Sequence, residues 1–253
     1  MKLIILEDYL QASEWAAKYI RNQIIQFGPG PNKYFILGLP TGLPRDHPEN
    51  YHSFMWNNFF KHIDIRPTNT HILDGNAADL QAECDAFEKK IKEAGGIELF
   101  LGGIGPDGHI TFNEPGSSLV SRTRVKTLDM DTILANSWFF NGDLSKVPTM
   151  ALTVGVGTVM DAREVVVLIM GAHKAFALHK AIEEGISHIW TVSAFQQHPH
   201  AVFMCDEDAK LEFKVKTVKY FKGLMFVHNK LVEPLYSIKE TEKSQSSKKP
   251  YSD

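Results

Sequence analysis

Residues 97–118 read IELFLGGIGPDGHITFNEPGSS. The apolar run 97–101 between two glycine-rich stretches reads as a short central strand. The segment after this strand decides between fold families. Gly103-x-Gly105-x-x-Gly108 formally matches a dinucleotide fingerprint, which requires a helix to open at the glycines. Residues 109–116 contain no helix opening, and Pro115 comes too soon. Nicotinamide or flavin binding is therefore set aside. There remains a strand whose C-terminal end carries Asp107, His109 and Glu114, the place where open α/β sheets bind ligands.

Outward from this stretch, strands and helices alternate. Toward the N-terminus, 3–6 reads as a strand. Residues 8–27 carry Ala12, Trp15, Ala16, Tyr19, Ile20 and Ile24 at helical spacing, and Gly28-Pro29-Gly30-Pro31 stops them. Residues 34–39 read as a buried strand, 51–60 as an aromatic-rich helix and 70–73 as a brief strand. A helix over 77–94 places Leu80, Cys84, Phe87 and Ile91 on one face. Toward the C-terminus, 121–128 alternates as a strand edge, 131–140 is helical, and TVGVGTVMDA (153–162) reads as a loop. A strong strand over 164–170 precedes an amphipathic helix over 173–184. A helical turn at 190–197, a strand at 201–205 and a helix at 215–228 complete the order. From Ile238 the chain is polar and cannot bury enough surface to offset its ordering entropy. The pattern predicts an α/β fold: a mostly parallel sheet with helices on both faces, a Rossmann-like three-layer sandwich. One domain is expected over 1–237, with a disordered polar tail over 238–253.

The composition agrees. The 253 residues, 43% of them hydrophobic, suffice for a core without disulfides or a structural metal. With 27 Lys and Arg against 30 Asp and Glu, the net charge of −3 lacks the footprint of a nucleic-acid binder. Two cysteines outside any CxxC pair, no apolar leader and no run long enough for a membrane span point to a reduced, cytoplasmic setting.

A histidine flanked by two carboxylates suits proton transfer near neutral pH, one carboxylate fixing the tautomer while the imidazole carries the proton. The residues alone leave two other readings open. Asp107 before Gly108 is also a turn former beside an ordinary loop histidine, and a metal site would lack a fourth ligand.

Several motifs together resemble the glucosamine-6-phosphate deaminase (isomerase) family: LGLPTG (37–42), GGIGPDGHITFNEPGSS (102–118), SRTRVKTL (121–128), ALTVGVGTVMDA (151–162), GAHKAFAL (171–178) and WTVSAFQQHP (190–199). The resemblance runs from Met1 to about Ser237, and the tail matches the animal members. It implies a reaction without metal or cofactor. The sugar ring of glucosamine 6-phosphate opens, the C2 proton moves to C1, and the imine is hydrolysed to fructose 6-phosphate and ammonia. It further implies that His109 assists ring opening with Asp107 and Glu114 as partners, and that Lys174, with Thr41 and Gly42, binds the substrate phosphate. Ser117, Arg124, Lys126, Thr127 and Tyr220 match an allosteric N-acetylglucosamine 6-phosphate site of some members, although Arg124 and Lys126 read equally well as a charged strand edge. A homohexamer is implied too.

Three departures stand out. In the family, LPTG continues through a Ser/Gly-Thr-Pro turn, a helix, and a strand ending in Asp-Glu-Tyr. Here it joins LPRDHP (43–48) directly. One helix–strand unit is thus missing after Gly42, and with it most of the phosphate loop and the aspartate that removes the C2 proton. Asp46 and His47 are the nearby groups that could stand in for that base. Trp138 comes after Ala135-Asn136-Ser137 where the family has a phosphate-binding arginine, and an indole offers one donor and no charge. Met170 stands where the family has a small or polar residue. Two expectations result: a deaminase of impaired activity, or an inactive homologue that binds sugar phosphate or joins intact family members.

Overall fold

The computed structural model describes residues 1–30, 32–39 and 51–227. Thr41, Gly42, Asp46, His47 and the tail from 238 lie outside the described residues, as does the side chain of Trp138. Five parallel strands form one sheet in the order β1 (Lys2–Ile5), β7 (Ala201–Cys205), β6 (Glu164–Ile169), β3 (Leu99–Gly103), β2 (Leu37–Gly38). A separate antiparallel ribbon joins β4 (Arg124–Thr127) to β5 (Met150–Thr153). Seven helices accompany them among the described residues: α1 (Tyr9–Phe27), α2 (Tyr51–Asn58), α3 (Leu80–Glu93), α4 (Met130–Asn136), α5 (Val156–Met160), α6 (Ala175–Glu183) and α7 (Val215–Val227). No helix among these residues is long and apolar enough to cross a membrane.

The strands are apolar on both sides, as a sheet covered on two faces requires. Phe100, Val165, Val167, Ile169, Phe203 and Cys205 point into one core, packed by α5, α6 and the 3₁₀ turn Thr191–Gln197. The alternate residues Leu99, Val166, Val202 and Met204 point into the second. There α1 lays Ala12 and Ala16 flat on the sheet. The small side chains admit close approach, and Trp15, Tyr19 and Ile20 flank the contact. The Asp8 carboxylate caps α1 by accepting the Gln11 N–H at 2.9 Å, and Gly28, at φ 61°, ends it in the left-handed conformation. Toward the β2 edge this second face thins out, and Leu37, Leu101, Leu168 and Met170 remain only partly buried.

Three sequence expectations change. Residues 70–73 form no strand: Thr70 closes the 3₁₀ turn Pro67–Asn69 by donating its hydroxyl to the Pro67 carbonyl at 2.7 Å, and Leu73 alone is buried, against Cys84 and Leu152. TVGVGTVMDA is a strand end followed by α5. Its glycines do not mark a loop: a Cβ on Gly155 would lie 2.0 Å from the Ser121 carbonyl oxygen, so they serve close backbone approach. The strand over 34–39 shrinks to Leu37–Gly38, because β2 is the sheet's edge and pairs on one side.

One carboxylate ties α3 to the ribbon. Glu88 accepts from the Thr123 amide at 2.9 Å, the Thr123 and Thr158 hydroxyls at 2.5 Å, and the Arg122 guanidinium at 2.7 Å. Burial alone would raise its pKa, but these bonds outweigh it and hold the carboxyl below the usual carboxylate range. A depressed pKa adds stability that is complete above the unfolded value of 4.5 and lost as pH falls through the folded one. Glu88→Ala should lower Tm at neutral pH by roughly 4–12 °C, from about 2–3 kcal/mol of lost charged hydrogen bonding. The difference from wild type should shrink below pH 4, as thermal melts across pH will show.

Candidate active site

Because β3 and β6 are parallel neighbours, the loops leaving them meet at one edge of the sheet. The β3 loop carries Asp107 and His109, and the β6 loop carries Lys174. The first loop is a tight turn closed by the Gly105 N–H to the His109 carbonyl at 2.9 Å and the Gly108 N–H to the Gly105 carbonyl at 3.0 Å. Within it His109 Nδ1 lies 2.7 Å from Asp107 Oδ1, off the line of a straight N–H···O bond. Burial pushes the Asp107 carboxyl up. The His109 hydrogen bond and charge outweigh it and leave the carboxyl below its usual range. Asp107 is thus held as the anion that orients the imidazole.

Two glycines make this turn possible. A Cβ on Gly105 would stand 2.3 Å from Asp107 Oδ1 and 2.4 Å from His109 Nδ1. Gly108, at φ 76°, lies against the Trp190 indole, where a Cβ would come within 2.6 Å.

Lys174 ends the 3₁₀ turn Ala172–Lys174. It is half-buried: burial lowers its pKa, and only the Asp107 charge pulls it back up. A half-buried ammonium near a carboxylate–imidazole pair is suited to an anionic group of a ligand. Gly171, at φ 87°, starts this turn and donates its N–H to both Asp206 carboxylate oxygens at 2.9 and 3.1 Å. Asp206 comes directly after β7 and also accepts the Ala209 N–H at 2.8 Å, so it anchors the Lys174 loop to the next strand.

The other anticipated residues divide. Glu114 is buried at 4% exposure, and its Oε1 accepts the Asp129 N–H at 2.9 Å; among the described residues its carboxylate engages that amide and not His109. Ser117 is buried, with no partner for its hydroxyl among the described residues. Arg124 and Lys126 fall on the same side of β4, and Arg124 Nη1 donates to Asn113 Oδ1 at 2.8 Å. Thr127 is exposed at the end of the same strand. Tyr220 sits on α7, 61% exposed, its ring edge-on to Phe221.

Sequence reasoning missed three residues that shape the site. Thr191 receives the Ile110 N–H at 3.3 Å and donates to the Asn113 carbonyl at 2.7 Å. Asn113 is fully buried and Asp206 nearly so. Only Asp206 carried a readable signal, as a carboxylate just past the C-terminal end of a strand.

Gly105→Ala should separate the pair. With the His109 bond lost, burial dominates and Asp107 should titrate at a higher pH than in the unaltered chain, read from its carboxyl carbon by NMR. An unchanged midpoint would show that the turn tolerates the methyl group.

A family profile described as glucosamine-6-phosphate isomerases/6-phosphogluconolactonase matches residues 42–204. Glucosamine-6-phosphate deaminase 1 of Homo sapiens and of Bos taurus are each 76% identical over 289 aligned residues, covering 100% of both chains. Glucosamine-6-phosphate deaminase 2 of Xenopus tropicalis is 70% identical over 95% of this chain and 100% of its own. A solved monomeric glucosamine-6-phosphate deaminase, described as a missing link of the NagB superfamily, superposes with TM-score 0.75 at 33% identity, over 83% of this chain and 98% of its own. The 6-phosphogluconolactonase from Trypanosoma cruzi shares the fold, with TM-score 0.64 at 16% identity over 84% and 97%. Since 289 aligned positions face 253 residues and both ends are covered, at least 36 positions of the mammalian relatives have no counterpart inside this chain. An α/β sheet with a carboxylate–histidine pair and a lysine on one edge, together with end-to-end identity of this degree, places the chain in the glucosamine-6-phosphate deaminase family.

Proposed function

We propose that this chain acts on glucosamine 6-phosphate as a deaminase of reduced power. The observation that carries the reading is the convergence of Asp107, His109 and Lys174 at one sheet edge in a chain 76% identical to mammalian deaminases. Lys174 receives the phosphate. Ring opening moves one proton from the anomeric hydroxyl to the ring oxygen, and His109, oriented by Asp107, can carry it. The C2 proton then passes to C1, and water replaces the C2 imine nitrogen, releasing ammonia and fructose 6-phosphate. The base for that C2 proton belongs to the helix–strand unit missing after Gly42, and general base catalysis contributes about 10²–10⁴-fold. Asp46 or His47 reaches the site only if the shortened loop meets a geometry within about 1 Å. A cytoplasmic place, a homo-oligomer and an N-acetylglucosamine 6-phosphate effector at Ser117, Arg124, Lys126, Thr127 and Tyr220 complete the reading. The missing positions also support a second one, a relative that binds sugar phosphate without turning it over.

Ammonia release from glucosamine 6-phosphate separates the two, measured beside His109→Ala and beside the human relative. The first reading expects His109-dependent release at least about 10²-fold below the relative. Release equal to the relative's would show that a base has been recruited and end the claim of reduced power. No release, with binding of the sugar phosphate that Lys174→Ala abolishes, would establish the second reading. Neither release nor binding would sink both.

A further inference from the structure

Thr111 has φ 56°, a left-handed backbone that a β-branched residue adopts only under constraint. Such strain costs on the order of 1–3 kcal/mol and persists where surrounding contacts over-determine it. Here the surrounding contacts centre on one side chain. Asn113, fully buried, donates its amide to the Thr111 hydroxyl at 2.6 Å, the Ile110 carbonyl at 3.0 Å and the Val154 carbonyl at 2.8 Å. Its Oδ1 accepts from Arg124 at 2.8 Å, and its backbone carbonyl accepts the Thr191 hydroxyl at 2.7 Å. The Thr111 hydroxyl also donates to the Val154 carbonyl at 3.2 Å.

This kink adjoins the Asp107–His109 turn. Ile110 bridges back to Ile104, closing the turn that holds Asp107 and His109, and bridges forward to Asn113, closing the kink at Thr111. Two tight turns therefore share one buried residue, and the conformation of the second sets the closure of the first. Glu114 comes directly after Asn113. We propose that Asn113 is a positioning residue: its amide clamps Thr111 in the left-handed conformation and so holds the Asp107–His109 pair closed. Its effect on turnover rests on the deaminase reading above; its effect on the pair does not.

The test is a cycle of Asn113→Ala, Thr111→Gly and the double variant. Glycine adopts positive φ without strain, so a chain with Gly at 111 no longer needs the clamp. Asn113→Ala should raise the pH at which Asp107 titrates, read from its carboxyl carbon by NMR. It should also lower kcat by about 10²-fold, the size of a misplacement near 1 Å, with KM changed by less than about threefold. Adding Thr111→Gly should return both readings toward those of the unaltered chain. A purely structural role would lower Tm without this rescue, and failure of the double variant to restore either reading overturns the proposal. So does failure of both Asn113→Ala chains to fold, since Asn113 would then hold the whole domain. If the unaltered chain releases no ammonia, the deaminase reading fails, and the Asp107 titration alone decides the role of Asn113.

Discussion

The parallel pairing of β3 with β6 is the constraint on which the candidate site depends. Its register sets Gly103 opposite Leu168, so both strands end together at one edge. From there the β3 loop folds into the turn that holds Asp107 and His109, and the β6 loop turns at Gly171 toward Lys174. Each loop is secured to a further element. Thr191 holds the first and Asp206 the second, with hydrogen bonds that water cannot easily displace because their partners are buried.

The same sheet shows what the shortened chain has given up. One face is packed by several helices and is fully buried. The other rests on α1 and the end of α7 among the described residues, and its residues toward β2 stay partly buried. At least 36 positions of the mammalian relatives are missing from the interior of this chain, and the motif that breaks off, LPTG, lies directly at the end of β2. A helix–strand unit removed at that point would leave a two-residue edge strand with a thinly covered flank, which matches the architecture seen.

Much of the site was legible one residue at a time. Glycines at 105 and 108 around Asp107 announced a tight turn after a strand, and strand ends are where α/β sheets bind ligands. Lys174 read from its own surroundings as an ordinary surface lysine; only the resemblance pointed to it. The 153–162 segment misled for the opposite reason. Its glycines looked like loop residues, but they admit the Ser121 backbone rather than a turn. A short strand at 70–73 had the right residues and found no strand to pair with.

The sequence by itself determined the family, the alternation of strands and helices, the helix stops at glycine, and the break after Gly42. Those are local or motif-borne signals, carried by residues near one another in the chain. Only the tertiary structure decided that Asp107 rather than Glu114 pairs with His109, that Glu114 turns to the Asp129 amide, and that Asn113 clamps Thr111 through a carbonyl from β5's end. The physical reason is distance along the chain. Hydrogen bonds spanning some forty to eighty residues, such as those to Val154 and Thr191, depend on which strands become neighbours, and no local pattern of residues encodes that choice.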